Sequence, residues 1–255
     1  MAHWHGDYAF TLRTLVLKEF RIRYRNMSLG VLWSMVNPLV MMTVLTFVFT
    51  HVFKTEVKDF PVFVLCGLIP FNFFSLAWAT GTNSLLDNAG LIKRVPVPRE
   101  IVPIASVLGN SIHLLIQFCL LVGFVLASGY GVNRHWLWLP LIWLLDIAFV
   151  LGLVLMCSAL AVYVRDTRYV VESINTVLIW FVPVFYSFKD VPAAYAPIYQ
   201  LNPVAALVMA MRNILMDGVA PPSTLLLKLA LGSMAALVFG WAVFSRLKRH
   251  FYNYL

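Results

Sequence analysis

Four polar side chains, Asn110, His113, Gln117 and Asp146, lie within long apolar stretches of this sequence. Asn110, His113 and Gln117 are spaced i, i+3 and i+7, so a helix places them on one face. Ionisable groups in lipid are costly and normally find a partner. Because Asp146 lies at a similar depth in the next apolar stretch, we predict that it contacts His113. Such a pair would either clamp two helices together or act directly in translocation or proton relay.

A short polar segment, residues 84–94, joins the second and third apolar stretches. Asn83 or Ser84 is suited to cap a helix there, and a proline-rich exit follows it. A short helix held between two membrane crossings can transmit a push, although an ordinary connection has the same pattern. The residues that would carry this role are Ser84, Leu85, Asp87, Leu91, Lys93 and Arg94.

Aromatic side chains are dense in the first, second and fifth apolar stretches. Aromatic faces suit stacking against sugar rings, whereas packing against lipid or within the protein is the common alternative. The candidates for a sugar path are Trp33, Phe71, Phe74, Trp78, Trp180, Phe181, Phe185 and Tyr186.

Several catalytic motifs are absent from the sequence. It contains no G-x-x-x-x-G-K-[ST], so the chain has no P-loop of its own. H-E-x-x-H, G-x-S-x-G and paired-cysteine motifs are also missing, which removes the usual grounds for predicting a hydrolase or a metal site. Any energy source must therefore come from another chain.

The elements that would position these residues are membrane-spanning helices. Hydrophobic residues make up 61% of the chain, charged residues 12%, and the mean hydropathy is +0.84. We predict an all-α integral membrane protein, with one transmembrane domain over residues 1–255. Its six spans are predicted at residues 30–53, 61–81, 101–128, 136–164, 170–187 and 225–245, of which only the fifth is marginal in length.

The basic residues predict the orientation of these spans. Thirteen of the 19 Lys and Arg residues fall in the segment before the first span, in the second and fourth loops and in the C-terminal tail. Cytoplasmic loops carry the excess of Lys and Arg, so both termini are predicted on the cytoplasmic side of the inner membrane. The net charge of +8 lies beside the spans, where it serves topology, and no nucleic-acid partner is expected.

Two further helices are predicted outside the spans. In the segment from Tyr8 to Arg25, apolar residues recur every four positions opposite basic ones, which indicates an amphipathic helix on the inner membrane surface. It would serve as an anchor alone or also as a docking surface. Between spans five and six, Asn202 and Pro203 start a helix that ends near Gly218, either re-entrant with residues 192–201 as its descending partner or lying on the surface.

The order of several motifs resembles a known family. These are the run from Arg23 to Trp33 (RYRNMSLGVLW) leading into Asn37-Pro38, the run from Leu91 to Pro98 (LIKRVPVP), Arg165-Asp166, and the run from Tyr199 to Pro203 (YQLNP). Together they resemble the permease subunits of type-2 ABC transporters, and within them the branch that exports O-antigen, capsule or teichoic acid polymers. The resemblance covers nearly the whole chain.

The resemblance implies a homodimer of six-span subunits with two ATPase subunits, which bind ATP and Mg²⁺. The whole assembly would move a lipid-linked polysaccharide outward through a channel at the interface of the homodimer. It also implies that residues 84–94 couple to the ATPase and that Val191 to Gly218 form paired external gate helices. The expected gate residues are Tyr195, Tyr199, Asn202, Pro203 and Arg212. Arg25 and Lys93 are candidates to meet the lipid pyrophosphate, although positive-inside charge explains them equally well.

Two other functions fit the sequence less well. The same fold could export a drug or a lipid, but the compact external loops and aromatic-rich spans favour a sugar polymer. A membrane-embedded acyl- or glycosyltransferase should display a cluster of His and Asp residues near one interface. Only scattered acids are present.

Overall fold

The computed structural model describes residues 6–254 except 96, 193, 196–198, 200 and 201. Over these residues the chain forms helices and turns, with no β-strand. In chain order the helices are α1 (Tyr8–Tyr24), α2 (Trp33–Phe47), α3 (Phe60–Asp87), α4 (Ala89–Arg94), α5 (Ile101–Ala127), α6 (Leu139–Tyr163), α7 (Thr167–Leu178), α8 (Pro203–Leu215) and α9 (Ser223–Leu247).

Five helical stretches of the described chain are long and apolar enough to cross a membrane. They are Gly30–Val52, Phe60–Arg94, Ile101–Ala127, Arg134–Tyr163 and Ser223–Leu247. The second is the centre of the bundle, because 78% of its most apolar window is buried inside the protein. Helix α3 accordingly packs against α2, α5, α6, α7 and α8.

Side-chain contacts define two ends of the bundle. At one end, here called the α4 end, Lys18 of α1 bonds to Asn88, Lys248 lies 3.4 Å from the Glu100 carboxylate, and the Tyr163 hydroxyl donates to the Leu247 carbonyl at 2.7 Å. At the other, the α8 end, Tyr130 donates to Asp59 at 2.8 Å, and Asn133 donates to the Ile214 carbonyl at 3.0 Å. The loops predicted to be cytoplasmic meet at the α4 end, and the loops predicted to lie on the other side of the membrane meet at the α8 end.

Helix α1 is present, but its predicted amphipathic character is not confirmed. Asp7 caps its start by accepting a hydrogen bond from the Ala9 N–H at 2.9 Å. Leu15 is buried against the bundle, where α1 packs on α5. Phe10 and Ile22 are nevertheless 69% and 56% exposed, so apolar side chains also lie on its outer surface.

The predicted fifth span does not form a helix of membrane-spanning length. Helix α7 covers only 12 residues, and turns occupy residues 179–186. A helix of that length rises only about 18 Å, less than the hydrocarbon thickness of about 30 Å. The backbone therefore leaves the helix in a buried region, since Val182, Pro183, Val184 and Phe185 are all buried.

Arg212 of α8 satisfies the carbonyl groups that this break exposes. Its Nη1 donates to the carbonyls of Pro183 at 2.6 Å and Tyr186 at 3.5 Å, and its Nη2 donates to those of Val184 at 2.8 Å and Phe63 at 3.2 Å. The guanidinium carbon also lies 3.4 Å from the centre of the Phe63 ring. The buried Arg212 thus joins α3, α8 and residues 179–186, here called the broken segment.

Helix α8 lies inside the protein, so a purely surface-lying helix is excluded for residues 203–215. Asn202 supplies the predicted cap by accepting a hydrogen bond from the Val204 N–H at 3.1 Å. Most of the helix is buried against α3, α6 and α9. Gly218, with φ of 65°, follows its C-terminus in a conformation that glycine favours. The predicted descending partner at 192–201 lies largely outside the described residues.

Helices α6 and α9 approach each other closely at two glycines. A Cβ placed on Gly152 would overlap the backbone of Ala236, and one on Gly240 would overlap the backbone of Gly152. Small residues permit such close backbone contact in membrane proteins, where dispersion replaces the hydrophobic effect. This seam holds the last helix of the chain to the bundle.

We expect Gly152→Val to destabilise the protein strongly, because backbone cannot yield as a flexible side chain does. Overpacking typically costs about 1–3 kcal/mol. The thermal unfolding midpoint of the detergent-purified protein measures this cost. Gly123→Val is the matched control, since a Cβ on Gly123 meets no atom within 4 Å. Equal midpoints for the two variants would contradict a close-packed seam.

Arg212→Met should lower the free energy of unfolding by at least about 3 kcal/mol, because the carbonyls of three buried residues lose their donor at about 1–3 kcal/mol each. Arg212→Lys should rescue little of this loss, since an ammonium lacks the planar fork that reaches several carbonyls at once. Thermal or denaturant unfolding provides the measurement. The exposed Arg134→Met is the control, and an Arg212→Met protein as stable as this control would rule out the assigned role.

Candidate functional site

The exposed surface of the α4 end contains part of the predicted coupling segment. Helix α3 continues to Asp87, and the short α4 begins only at Ala89, so the predicted cap at Asn83 or Ser84 is wrong. The Ser84 hydroxyl instead donates to the Gly81 carbonyl at 2.6 Å within α3. The local sequence permitted a cap, but packing of the buried Leu85 extends α3 past that point.

Three residues of the predicted coupling set can be reached from outside the bundle. Asp87, Lys93 and Arg94 are exposed, whereas Ser84 and Leu85 are buried and Leu91 is half-buried. Asn88, at the corner between α3 and α4, bonds to Lys18 of α1. A force applied to α4 would therefore reach both α1 and the central helix α3.

A cavity of about 530 Å³, here called the α1 cavity, lies behind this surface between α1, α3 and α5. The Tyr24 hydroxyl and His113 Nδ1 are 2.6 Å apart across it. Asn110 donates to the Thr80 hydroxyl at 2.9 Å, and its own carbonyl oxygen has no partner among the described residues. The cavity is polar and lies at the α4 end, next to the membrane-spanning region.

Arg23 is a half-buried cation in the lining of the α1 cavity. Its Nη1 is buried and has no hydrogen-bond partner in the described part of the chain, where no carboxylate lies within ion-pair distance of it either. Burial lowers the pKa of the Arg23 guanidinium, with Tyr24 and Glu19 nearby opposing that shift. An arginine remains protonated in proteins, so its positive charge persists inside the cavity.

The residues predicted to meet a lipid pyrophosphate, Arg25 and Lys93, lie outside this cavity. Both are exposed to solvent in the single chain. Arg23 was not among the predicted phosphate contacts, although its neighbour Tyr24 is one of the apolar residues that recur every four positions along α1 and contacts His113. The position of Tyr24 could have predicted the partial burial of Arg23, because a residue beside a packed helix face is partly covered by the same contacts.

The predicted contact between Asp146 and His113 is wrong. His113 Nδ1 and Nε2 lie 2.6 Å from the Tyr24 hydroxyl and 3.1 Å from Gln117 Nε2. Gln117 also donates to the Ser34 carbonyl at 3.0 Å, so the polar face of α5 is turned towards α1 and α2. Asp146 is only 2% exposed, and its Oδ2 has no partner among the described residues. Similar depth in two spans does not determine the rotation of either helix.

The predicted sugar-path residues separate into two groups. Phe71, Phe74, Trp78 and Phe185 are buried in the core. Phe74 stacks on Phe149, and Trp78 Nε1 lies 3.3 Å from Cys157 Sγ. These four are packing residues in the single chain, so their predicted contact with a substrate is not supported. The accessible members are Trp33, Trp180 and Phe181, with Tyr186 half-buried.

The accessible aromatics continue into an aromatic cavity of about 460 Å³ at the α8 end. Phe181, Tyr186 and the predicted gate residues Tyr195 and Tyr199 line it. The Tyr186 hydroxyl donates to the Trp180 carbonyl at 2.8 Å, and its oxygen can accept a hydrogen bond from the Tyr199 hydroxyl 3.3 Å away. The other gate residues have structural positions, since Asn202 caps α8, Pro203 starts it and Arg212 holds the broken segment.

Comparison with known proteins identifies relatives over nearly the whole chain. An O-antigen export system permease protein RfbA from Klebsiella pneumoniae is 27% identical over 246 residues, covering 96% of this chain and 95% of the relative. One from Myxococcus xanthus is 27% identical over 247 residues, with the same two coverages. The polysialic acid transport protein KpsM of Escherichia coli is 26% identical over 237 residues, or 92% of each chain.

The model of one protein family covers the helices that form both cavities. The ABC-2 type transporter family matches residues 11–216, which include α1, the coupling segment, the broken segment and α8. With that match over most of its length, this chain belongs to the ABC-2 type transporter family.

Proposed function

We propose that this chain is the membrane subunit of an ATP-driven exporter that moves a lipid-linked polysaccharide across the cytoplasmic membrane. The observation that carries the proposal is the similarity, over 92–96% of the chain, to proteins named for O-antigen export and polysialic acid transport. Because the sequence has no P-loop, ATP and Mg²⁺ would be bound by a separate ATPase subunit, in two copies.

The proposed orientation places the α4 end in the cytoplasm, with both termini. The segments that meet at this end hold 13 of the 19 Lys and Arg residues. The positive-inside rule assigns such an end to the cytoplasmic side. Asp87, Lys93 and Arg94 would then face the ATPase.

A sixth crossing is supported by connectivity. Helix α6 ends at the α4 end, where Tyr163 contacts Leu247, whereas α9 begins at the α8 end after Gly218. The intervening chain must therefore pass from one end to the other. We assign this crossing to α7 together with the broken segment 179–186, whose carbonyls Arg212 satisfies in place of a helical ladder.

A homodimer would provide the transport path. Val40, Val44 and Phe47 of α2 are each more than half exposed, and α7 has its own exposed apolar residues, Val170 and Val177. The interior of the single bundle is filled by the side chains around α3 and offers no room for a polymer. Two facing copies, with Trp33, Trp180 and Phe181 along the path, would enclose one at a symmetric interface.

The lipid phosphate would be met by Arg23 rather than by Arg25 or Lys93. Arg23 has a buried donor without a partner, and charge-assisted hydrogen bonds to phosphate are among the stronger ones. The α1 cavity is also lined by Glu19, Asp87 and Glu172, of which Glu19 is paired with Lys18 at 3.6 Å. The phosphate of the lipid carrier would satisfy the Arg23 guanidinium.

The proposed function predicts a stable complex with the co-encoded ABC ATPase. Copurification from detergent, with mass photometry for stoichiometry and phosphate release for ATP turnover, tests it. Lys93→Glu/Arg94→Glu should weaken the complex at least tenfold, because both exposed charges reverse at the proposed contact. Arg134→Glu, at the opposite end, should leave it intact. A wild-type chain that forms no complex would defeat the proposal.

Replacing Arg23 should impair export without breaking the complex. Arg23→Gln removes a charge-assisted hydrogen bond worth about 1.5–3 kcal/mol, which corresponds to roughly a ten- to 100-fold loss. The measurement is delivery of lipid-linked polymer in proteoliposomes that contain the ATPase. Arg25→Gln removes the same charge from an exposed position two residues away and should export normally. An equal loss in both variants would show that the α1 cavity is not the phosphate contact.

A further inference from the structure

A cavity of about 760 Å³ opens at the α8 end, between the start of α3, the C-terminal half of α8 and the start of α9. This volume lies within the range of about 300–1,000 Å³ typical of small-molecule sites. We call it the outer cavity. It is separate from the aromatic cavity, and the proposed ATPase contact, phosphate contact and sugar path do not include it.

The lining of the outer cavity combines aromatic and polar side chains with five aliphatic or thioether ones, namely Val57, Met209, Met216, Pro222 and Leu225. Phe63, Tyr130 and Phe188 contribute rings, while Ser187, Asn213 and Thr224 contribute hydroxyl and amide groups. Tyr130 remains a neutral hydroxyl, because burial and its hydrogen bond to Asp59 raise its pKa to about 12. Aromatic faces beside hydroxyl and amide groups suit a ligand that is polar at its edges and has C–H groups on its faces, as sugars do.

The charge of the outer cavity is strongly positive. Only six of the 19 Lys and Arg residues belong to the segments at the α8 end, and four of these six, Lys58, Lys189, Arg212 and Lys228, line this one cavity. Asp217 is the carboxylate in the lining described by the structure. Arg212 adds charge rather than donors, because its N–H groups bond to backbone carbonyls. Lys58, Lys189 and Lys228 are exposed at the cavity, so their charges can be reached by a ligand.

This concentration of cations is unexpected at an end that the positive-inside rule assigns to the outer side of the membrane. Lys and Arg are disfavoured in the outer loops of membrane proteins, and elsewhere this chain follows that tendency. Cations on the outer side without a binding role would be expected to scatter over its loops. Their convergence on one cavity with an aromatic and hydroxyl-rich lining indicates an anionic ligand.

The outer cavity adjoins the aromatic cavity through one turn of the chain. Ser187, Phe188 and Lys189 line the outer cavity, while Tyr186 and Asp190 on either side of them line the aromatic one. Ser187 and Asp190 hold this turn through the bonds from Lys189 N–H to Ser187 Oγ at 3.3 Å and from Ser187 N–H to Asp190 Oδ2 at 3.0 Å. A chain leaving the aromatic cavity would therefore meet the lysines next.

We propose that the outer cavity binds acidic sugar residues, and that the exported polymer is a polysaccharide bearing carboxylates. This inference rests on the proposed export function, which it narrows to an anionic cargo. A sugar is favoured over a lipid headgroup because the rings, hydroxyls and amide surround the lysines within the cavity, and because the aromatic cavity leads to it.

The test measures oligosaccharide binding to the full chain in phosphatidylcholine nanodiscs by titration calorimetry. A galacturonic acid oligomer should bind at least tenfold more tightly than a maltooligosaccharide of the same length. The preference should shrink at about 1 M salt, where the screening length is only about 3 Å. Lys58→Gln/Lys189→Gln/Lys228→Gln should abolish it, whereas Lys58→Arg/Lys189→Arg/Lys228→Arg should retain it. Arg134→Gln is the matched control, because it removes an exposed cation of the same end that does not line the cavity.

Several results would overturn the proposal. One is equal binding of the acidic and neutral oligomers, and another is an equal loss in the triple glutamine variant and in Arg134→Gln. A third is displacement of the acidic oligomer, dependent on the three lysines, by phosphatidylglycerol in the nanodisc, which would identify a lipid site. Copurification with the ATPase distinguishes a failure of the proposed export function from a failure of the proposed acidic-sugar site. A normal ATPase complex without acidic preference refutes this inference alone, whereas acidic preference without any complex supports the site and refutes the export function.

Discussion

The bonds from Arg212 to buried carbonyls are the interaction on which the rest of the structure depends. Non-helical backbone is tolerated at membrane depth only where its polar groups find partners inside the protein. The segment 179–186 leaves the helix in a buried region, and the guanidinium of Arg212 serves its carbonyls together with that of Phe63. Gly67 makes room for this arrangement, since a Cβ there would lie 3.0 Å from Val184 Cα and 3.2 Å from Arg212 Nη2.

The bonds of Arg212, here called the Arg212 clamp, lie between the two cavities for which we propose a role in transport. On one side of the broken segment lies the aromatic cavity with Phe181, Tyr186 and Tyr199, and on the other lies the outer cavity with its lysines. At the opposite end, Lys18 and Asn88 tie α1 to the corner that leads into α4. Helix α3 contacts the elements at both ends, so it provides a continuous rigid connection between the proposed ATPase surface and the clamp.

Much of the architecture was accessible from sequence, and most of the wrong contacts share one cause. Asn202 as a cap, the long apolar helices and a short helix ending at Arg94 follow from local pattern. The predicted partners of His113 and Asp146, and the predicted role of Phe74 and Trp78, depended on which way a helix face points. In a chain that is apolar on nearly every side, periodicity does not distinguish a lipid-facing aromatic residue from a buried one.

The sequence by itself determined the class of the fold, five of the six predicted spans, the uneven charge of the two ends and the resemblance to type-2 ABC permeases, because these depend on composition, length and residue order. The tertiary structure decided which residue bonds to the carbonyls of the break at 179–186. It also decided that Arg23 rather than Arg25 lines the α1 cavity, and that four cations of the α8 end share one cavity. The reason is physical: the partner of a buried donor or charge is set by the rotation and contact of helices far apart in the chain, as with the 149 residues between Arg212 and Phe63.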